Sequence, residues 1–464
     1  MNEMTKLASE QTTSVTARLA DYVLASRYED IPAAVKAEAV RTLLNWVGVA
    51  VGGCRHESID IVLESLGPFA GAGTASVLGR DEKTGPLQAA LINGISSHVF
   101  DFDDTHLHTV IHPAGPVAAA ITALAEQVPV SGRDFLHALI LGVEVECRLG
   151  NAVYPDHYDV GWHITGSAGV LGAAAACGKL LGLSAQEMRW ALGIAATQSS
   201  GFREMFGSMC KGFHVGSAAK NGLMSALLAA KGFTSSEQAI EAKRGWANVM
   251  STKQDYGEIT DGLGESFEIS LNTYKPFACG IVIHPAIDGC VQLRNEHGLT
   301  AEDVERIDLT VHPLVLELTG KAEPRVGLEG KFSVYHSCAV AIIHGKAGEA
   351  EYSDGAVRDP VAVDLRRRVH PVVDEEMPKA SVNVVVTTRD GRRLETFVEH
   401  ALGSLECPMT DAQLDEKFTD LCQPILGIRE ASDLIGLCRA VETLSDVRKL
   451  VAAASASQGS DLRA

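Results

Sequence analysis

Aromatic residues make up only 5% of this 464-residue chain, and its 40 basic residues are outnumbered by 59 acidic ones. The formal net charge of −19 excludes the basic surface that nucleic-acid backbones and anionic membranes require. Ten cysteines are scattered singly with no CxxC pair, which removes the usual zinc spacings and fits reduced thiols in a cytoplasm. Phosphate loops and GxSxG nucleophile elbows are missing, and Gly71-Ala-Gly73 lacks the strand–GxGxxG–helix setting of a dinucleotide site. The first thirteen residues are polar and lack the basic and apolar regions of a signal peptide. The most apolar window, residues 166–183, is rich in Ala and Gly and carries Lys179. It reads as a buried helix rather than a membrane span. These absences leave a cytoplasmic protein with no nucleic-acid partner, no membrane partner and no recognisable cofactor motif.

Hydrophobic residues form 46% and charged residues 21% of the chain, a globular composition too long for one ordinary core. Few aromatics with many Ala and Gly favour closely packed helices. Helical spacing recurs at 15–24, 34–51, 59–65, 86–99, 116–127, 132–149, 165–181, 185–199 and 216–231, with Pro32 placed near a helix start. Before residue 270 only 75–79 reads as a strand. The texture then changes: 304–312 alternates with β-branched residues, and 380–388 and 393–400 flank Asp390-Gly391, a strong hairpin signal. Helical patterns at 284–296 and 333–345 accompany these strands, helices return at 410–421 and 430–443, and the tail from Ala452 reads as frayed. The expected fold is mainly α with an inserted α+β domain: helical residues 1–270, an α+β lid at 271–407, and a return to helices at 408–464. A cleft between such domains is the expected place for a small-molecule site.

Polar chemistry concentrates in Asp101-Phe-Asp-Asp-Thr-His-Leu-His-Thr-Val-Ile-His112, between two apolar helical runs. Buried segments rarely gather three carboxylates and three imidazoles without a functional reason. His106-x-His108 with the neighbouring Asp residues offers metal ligands, but no further ligand set completes the site, so no metal is assigned. A prenyl-diphosphate reading of Asp103-Asp104 lacks its second Mg²⁺ motif. Metal-free acid–base work remains, with Asp101 and His112 as the leading participants. Asp103, Asp104 and His106 fit either that chemistry or a scaffold.

Three further stretches carry chemistry. Trp162-His163 precedes an Ala/Gly-rich helix whose N-terminus attracts anions. A Gly-punctuated loop then collects Arg203, Lys211, His214 and Lys220; Arg203 can grip a carboxylate through two N–H groups, and Lys211 can neutralise another or act as a base. Near the expected domain junction lie Lys275-Pro-Phe-Ala-Cys279-Gly280 and His284, and Tyr335 follows in Phe332-Ser-Val-Tyr335-His336. A set of His, Asp, Tyr and Lys suits a small di- or tricarboxylate whose α-proton is removed.

These stretches together resemble the MmgE/PrpD family over nearly the whole chain. The resemblance is carried by Asp101-Phe-Asp-Asp-Thr through His112-Pro, Trp162-His163, Lys211-x-Phe-His214-x-Gly-x-Ala-Ala-Lys220, Lys275-Pro-Phe and His284-Pro-Ala-Ile-Asp288. It implies a helical domain with an α+β lid, a homodimer, no cofactor, and activity as a 2-methylcitrate dehydratase, cis-aconitate decarboxylase or iminodisuccinate epimerase. By the resemblance, Asp101, His112, His163, Lys211, Lys275 and Tyr335 are catalytic. Arg203, His106, His214 and His284 are expected to bind substrate. The family's decarboxylases carry a catalytic His five residues after the lysine, where this chain has Gly280, and its dehydratases place a carboxylate and His in the same segment. That departure favours an epimerase-like isomerase, with a lyase of the family as the alternative. Outside the family, a metal-dependent hydrolase or a non-catalytic carboxylate-binding protein would account for the same residues.

Overall fold

The computed structural model describes residues 14–455. They form two compact units: residues 14–99, 103–272 and 418–455 in the first, and 100–102 with 273–417 in the second. The chain thus leaves the first unit for three residues at Phe100–Phe102. The polar N-terminal stretch weighed above as a leader and the tail beyond residue 455 lie outside the described residues. Ala452 and Ala453, read as frayed, belong to the helix Arg448–Ala453.

The first unit is helical. Ile164–Leu181 lies at its centre, packed against Gly132–Val153 and Cys210–Ala229; the latter also packs on Pro86–His98 and Ala114–Ala125. Small residues set these distances. A Cβ on Gly216 would lie 2.1 Å from the Leu91 carbonyl oxygen, and one on Gly94 would lie 2.7 Å from the Gly216 Cα. Two backbones therefore meet where side chains would normally separate them, which is how an aromatic-poor core reaches close packing. The apolar window carrying Lys179 is this central helix, buried except near its C-terminal end. It stops at Gly182 in the left-handed region (φ 64°). Ser131 caps Gly132–Val153 through the Asp134 amide, and Ser184 with Glu187 forms a capping box on Ala185–Ala196. Besides Ala75–Ser76, which pairs with Lys83–Thr84, a three-residue strand Asp104–His106 appears inside the polar stretch. Both additions are too short to leave a periodic signal.

The second unit holds a four-stranded sheet in the order Val369–Val373, Val304–Val311, Val382–Thr388, Arg393–Val398. The first pair is parallel and the others antiparallel. The Asp390-Gly391 hairpin forms as its dipeptide predicts, with Gly391 at φ 87°. The strand Val369–Val373 went unread because Pro371 interrupts the pattern; it takes the sheet edge, where a missing N–H is tolerated. Helices His284–His297 and Val334–His344 pack together, and the first also lies on the sheet.

Candidate active site

The polar stretch begins where the helix Pro86–His98 ends and finishes where Pro113 opens the helix Ala114–Ala125. In the first unit it builds a hub around Asp103. The Nδ1 of His98 lies 2.6 Å from Asp103 Oδ2, and the Nδ1 of His112 lies 3.2 Å from Asp103 Oδ1. His112 Nδ1 is also 2.8 Å from the Asp104 carbonyl oxygen. Because a carbonyl only accepts, that nitrogen carries the proton. The ionised Asp103 makes the same demand of His98. Both imidazoles are thereby fixed in the tautomer whose Nε2 is an unprotonated base. All three residues are buried. Burial opposes ionisation of Asp103, but His112 and His98 outweigh it and hold the carboxyl well below its ordinary range.

A second imidazole pair adjoins the hub. His163 caps Ile164–Leu181, its amide donating to the Gly201 carbonyl at 3.0 Å. Its Nδ1 lies 3.0 Å from that of His214, so one ring donates to the other. The ring centroids of His98 and His163 are 5.9 Å apart, and Phe206 meets His163 edge-on at 5.0 Å. Lys211 stands 5.2 Å over the Phe206 ring. Burial pushes His98 down to about 4, helped by Lys211 and opposed by Asp103. It pushes His163 well below its ordinary value, with His98 and Lys211 adding to the effect. His214 is lowered by burial and then by Lys211. The result is a set of neutral imidazoles beside one ammonium group.

Neighbouring residues of the stretch serve as scaffold. Asp104 Oδ2 accepts from the Ala114 amide at 3.0 Å, satisfying a helix N-terminus, and from Asn272 Nδ2 at 2.7 Å. Burial, then the charge of Asp103, raises Asp104 to about 6. His106, expected to bind substrate, has Nδ1 2.7 Å from Thr109 Oγ1 and Nε2 3.0 Å from the Glu268 carboxylate. Its Nδ1 is hydrogen-bonded inside the fold, and its Nε2 is buried facing that carboxylate. His108 is exposed, edge-on to His106. Arg203 has its guanidinium 4.0 Å over the Tyr158 ring and donates to the Tyr158 carbonyl at 3.0 Å.

The remaining predicted residues lie in the second unit. Lys275 donates to both Oδ1 and the backbone carbonyl of Asp101, each at 2.8 Å. Asp101 itself sits in the left-handed region at φ 53°. His284 is buried edge-on to Phe277 at 5.3 Å, its Nε2 has no hydrogen-bond partner, and burial pushes it down to about 3, with Lys275 adding. Tyr335 is half-buried in Val334–His344. At Gly280 a Cβ would meet Thr319 Cγ2 at 3.3 Å, tight but without a backbone clash.

Sequence reasoning missed His98, the second arm of the hub. It was absorbed into an apolar helix, and its one signal was a charged-type residue at that helix's last turn, five positions before Asp103. The metal-capable group also moves. Among the described residues, His98, Asp103 and His112 bring donor atoms within 4.8 Å of one another, whereas His106 and His108 do not join such a group. The nitrogen and oxygen donors suit a transition metal, but Asp103 Oδ2 is already engaged by His98 Nδ1 and His112 Nδ1 by the Asp104 carbonyl.

Residues 17–259 match the MmgE/PrpD N-terminal domain and residues 277–442 the MmgE/PrpD C-terminal domain. The chain belongs to the MmgE/PrpD family. Its relatives include the cis-aconitate decarboxylase of Aspergillus terreus (strain NIH 2624 / FGSC A1156), 28% identical over 482 residues that cover 97% of this chain and 98% of the relative. The cis-aconitate decarboxylase of Homo sapiens is 27% identical over 429 residues, covering 88% and 87%. That of Mus musculus is 25% identical over 455 residues, covering 93% and 92%.

Proposed function

We propose that this chain is an acid–base enzyme working at the carbon α to a carboxylate of a small di- or tricarboxylate, and that it is a lyase: it either removes the α-proton while the neighbouring hydroxyl leaves as water, or releases CO₂ and protonates the carbanion that remains. The observation that supports this reading is the shared use of Asp103 by His98 and His112, which leaves two basic Nε2 atoms in a dry setting. His98, depressed by burial and by Lys211, is a weak base until an anion arrives. A polyanionic substrate would raise it toward neutrality, where general-base transfer is most effective. In this reading Lys211 neutralises a carboxylate and the developing enolate, and the His163–His214 pair carries the second proton. Asp101, Lys275 and Tyr335 enter it through the family resemblance. The lyase outcome takes its support from the decarboxylase relatives.

Gly280 favours a second reading, epimerisation of a compound such as iminodisuccinate. No side chain is available there to protonate a leaving group, and epimerisation needs only removal of the α-proton from one face and its return to the other.

A panel of di- and tricarboxylates, cis-aconitate among them, followed by NMR in D₂O separates these outcomes. Loss of CO₂ or water identifies the lyase. Deuterium appearing at the α-carbon of otherwise intact substrate identifies the epimerase. His163→Ala and Lys211→Ala should each abolish the reaction found, and a panel with neither product nor label would refute both readings.

A further inference from the structure

Three consecutive backbone carbonyls in the second unit each receive a lysine. Lys331 Nζ donates to the Phe100 carbonyl at 2.7 Å, Lys275 Nζ to that of Asp101 at 2.8 Å, and Lys417 Nζ to that of Phe102 at 2.7 Å. Two of the ammonium groups also stand over the flanking rings, Lys331 at 5.2 Å from the Phe100 centroid and Lys417 at 4.0 Å from that of Phe102. All three lysines are buried. Each has a further anchor: Glu349 Oε2 for Lys331 at 2.5 Å, the Asp101 carboxylate for Lys275 at 2.8 Å, and the Lys275 carbonyl for Lys417 at 2.9 Å.

A buried ammonium is expensive to desolvate, and three on one tripeptide are far more than an ordinary loop needs. The tripeptide is the part of the chain between His98–Val99 and Asp103, and Asp101 within it holds φ 53°. A non-glycine residue resists that conformation unless its surroundings impose it. The Phe102 carbonyl belongs to the peptide group whose N–H is that of Asp103. Fixing three successive peptide planes therefore fixes where the chain delivers the Asp103 backbone.

We propose that Lys275, Lys331 and Lys417 act as one clamp on Phe100–Phe102, and that Lys331 and Lys417 are positioning residues for the Asp103 hub. The inference takes from the proposed function only the importance of the hub, and its test needs no substrate.

The variants are Lys331→Met and, separately, Lys417→Met, in the full chain. Hydrogen–deuterium exchange of peptides covering residues 99–103 should accelerate about tenfold or more, with exchange in Ile164–Leu181 unchanged. In histidine-selective ¹H–¹⁵N spectra the Nδ1–H signals of His98 and His112 should shift or broaden. Unchanged exchange at 99–103 overturns the clamp. Faster exchange with unmoved imidazole signals overturns the positioning role. If Lys417→Met fails to fold, Lys417→Arg, which keeps a donor, should restore folding and the imidazole signals; failure of that rescue counts against the proposal. A chain inactive on every carboxylate would refute the proposed function and leave these readouts standing.

Discussion

Replacing Asp103 by Asn changes one atom of the hub and tests its logic directly. The carboxylate accepts from His98 Nδ1–H and has His112 Nδ1 at 3.2 Å, whereas the amide offers one acceptor and one NH₂ donor. His112 Nδ1 keeps its proton in either case, because the Asp104 carbonyl at 2.8 Å demands it. His98 Nδ1 has Asp103 as its acceptor at 2.6 Å, so His98 is the ring free to change tautomer. With the NH₂ turned toward it, His98 becomes protonated at Nε2 and ceases to be a base. One charge-assisted hydrogen bond, worth about 1.5–3 kcal/mol, and the close contact to His112 are weakened, but relief from burying a charge offsets much of that. Folding stability should therefore change little while turnover falls by about 10²–10⁴-fold, the usual contribution of a positioned general base. Histidine ¹⁵N spectra should show Nε2 of His98 protonated in the variant and Nε2 of His112 still bare, and kcat is read on the substrate found by the D₂O panel. Activity within about tenfold of the parent, with both tautomers unchanged, would refute the reasoning.

Glu146 is fully buried with neither carboxylate oxygen hydrogen-bonded, and burial, then Asp104, raises it well above its ordinary value. A raised carboxyl favours the folded state while protonated and loses that contribution as pH climbs above its unfolded value near 4.5. Glu146→Gln should accordingly stabilise the chain by about 1–3 kcal/mol at pH 8 and by less at pH 4, and parallel urea midpoints for the two proteins at both pH values would contradict this. His157 acts in the opposite direction: held at about 4 by burial, with Met250 O at 3.0 Å and Ser167 Oγ at 2.6 Å, it contributes stability that is full above its unfolded value near 6.5. That stability is lost as pH falls toward 4. The loss is roughly 3 kcal/mol, and His157→Phe should flatten this part of the stability curve in denaturant titrations. Gly216→Ala drives a methyl against the Leu91 carbonyl and should destabilise by at least about 1–3 kcal/mol. Gly436→Ala, in a helix with nothing near its Cβ position, should instead stabilise by up to about 1 kcal/mol; thermal melts of the pair give the comparison.

Much was readable from local pattern alone. Helical spacing, the Asp390-Gly391 hairpin and the density of titratable groups between 101 and 112 are short-range properties, and they led to the mainly α fold with an α+β part and to the family. Pair identity was not readable. Asp103 and Asp104 are adjacent and chemically alike, yet two imidazoles hold one well below its ordinary value while a helix N-terminus and an asparagine take the other, which rises to about 6. His106 and His112 sit in the same stretch, yet Glu268 and Thr109 close the first into the scaffold. Lys331 and Lys417 gave no motif, because what they grip is backbone more than 200 residues away.

By itself, then, the sequence determined most of the secondary structure, the family and the stretch where titratable side chains concentrate, since periodicity and composition act over a few residues. Tertiary structure decided which of those titratable groups are tied into the scaffold and which keep a bare imidazole nitrogen. A buried group's protonation depends on its nearest partners, and folding brings those partners from anywhere in the chain.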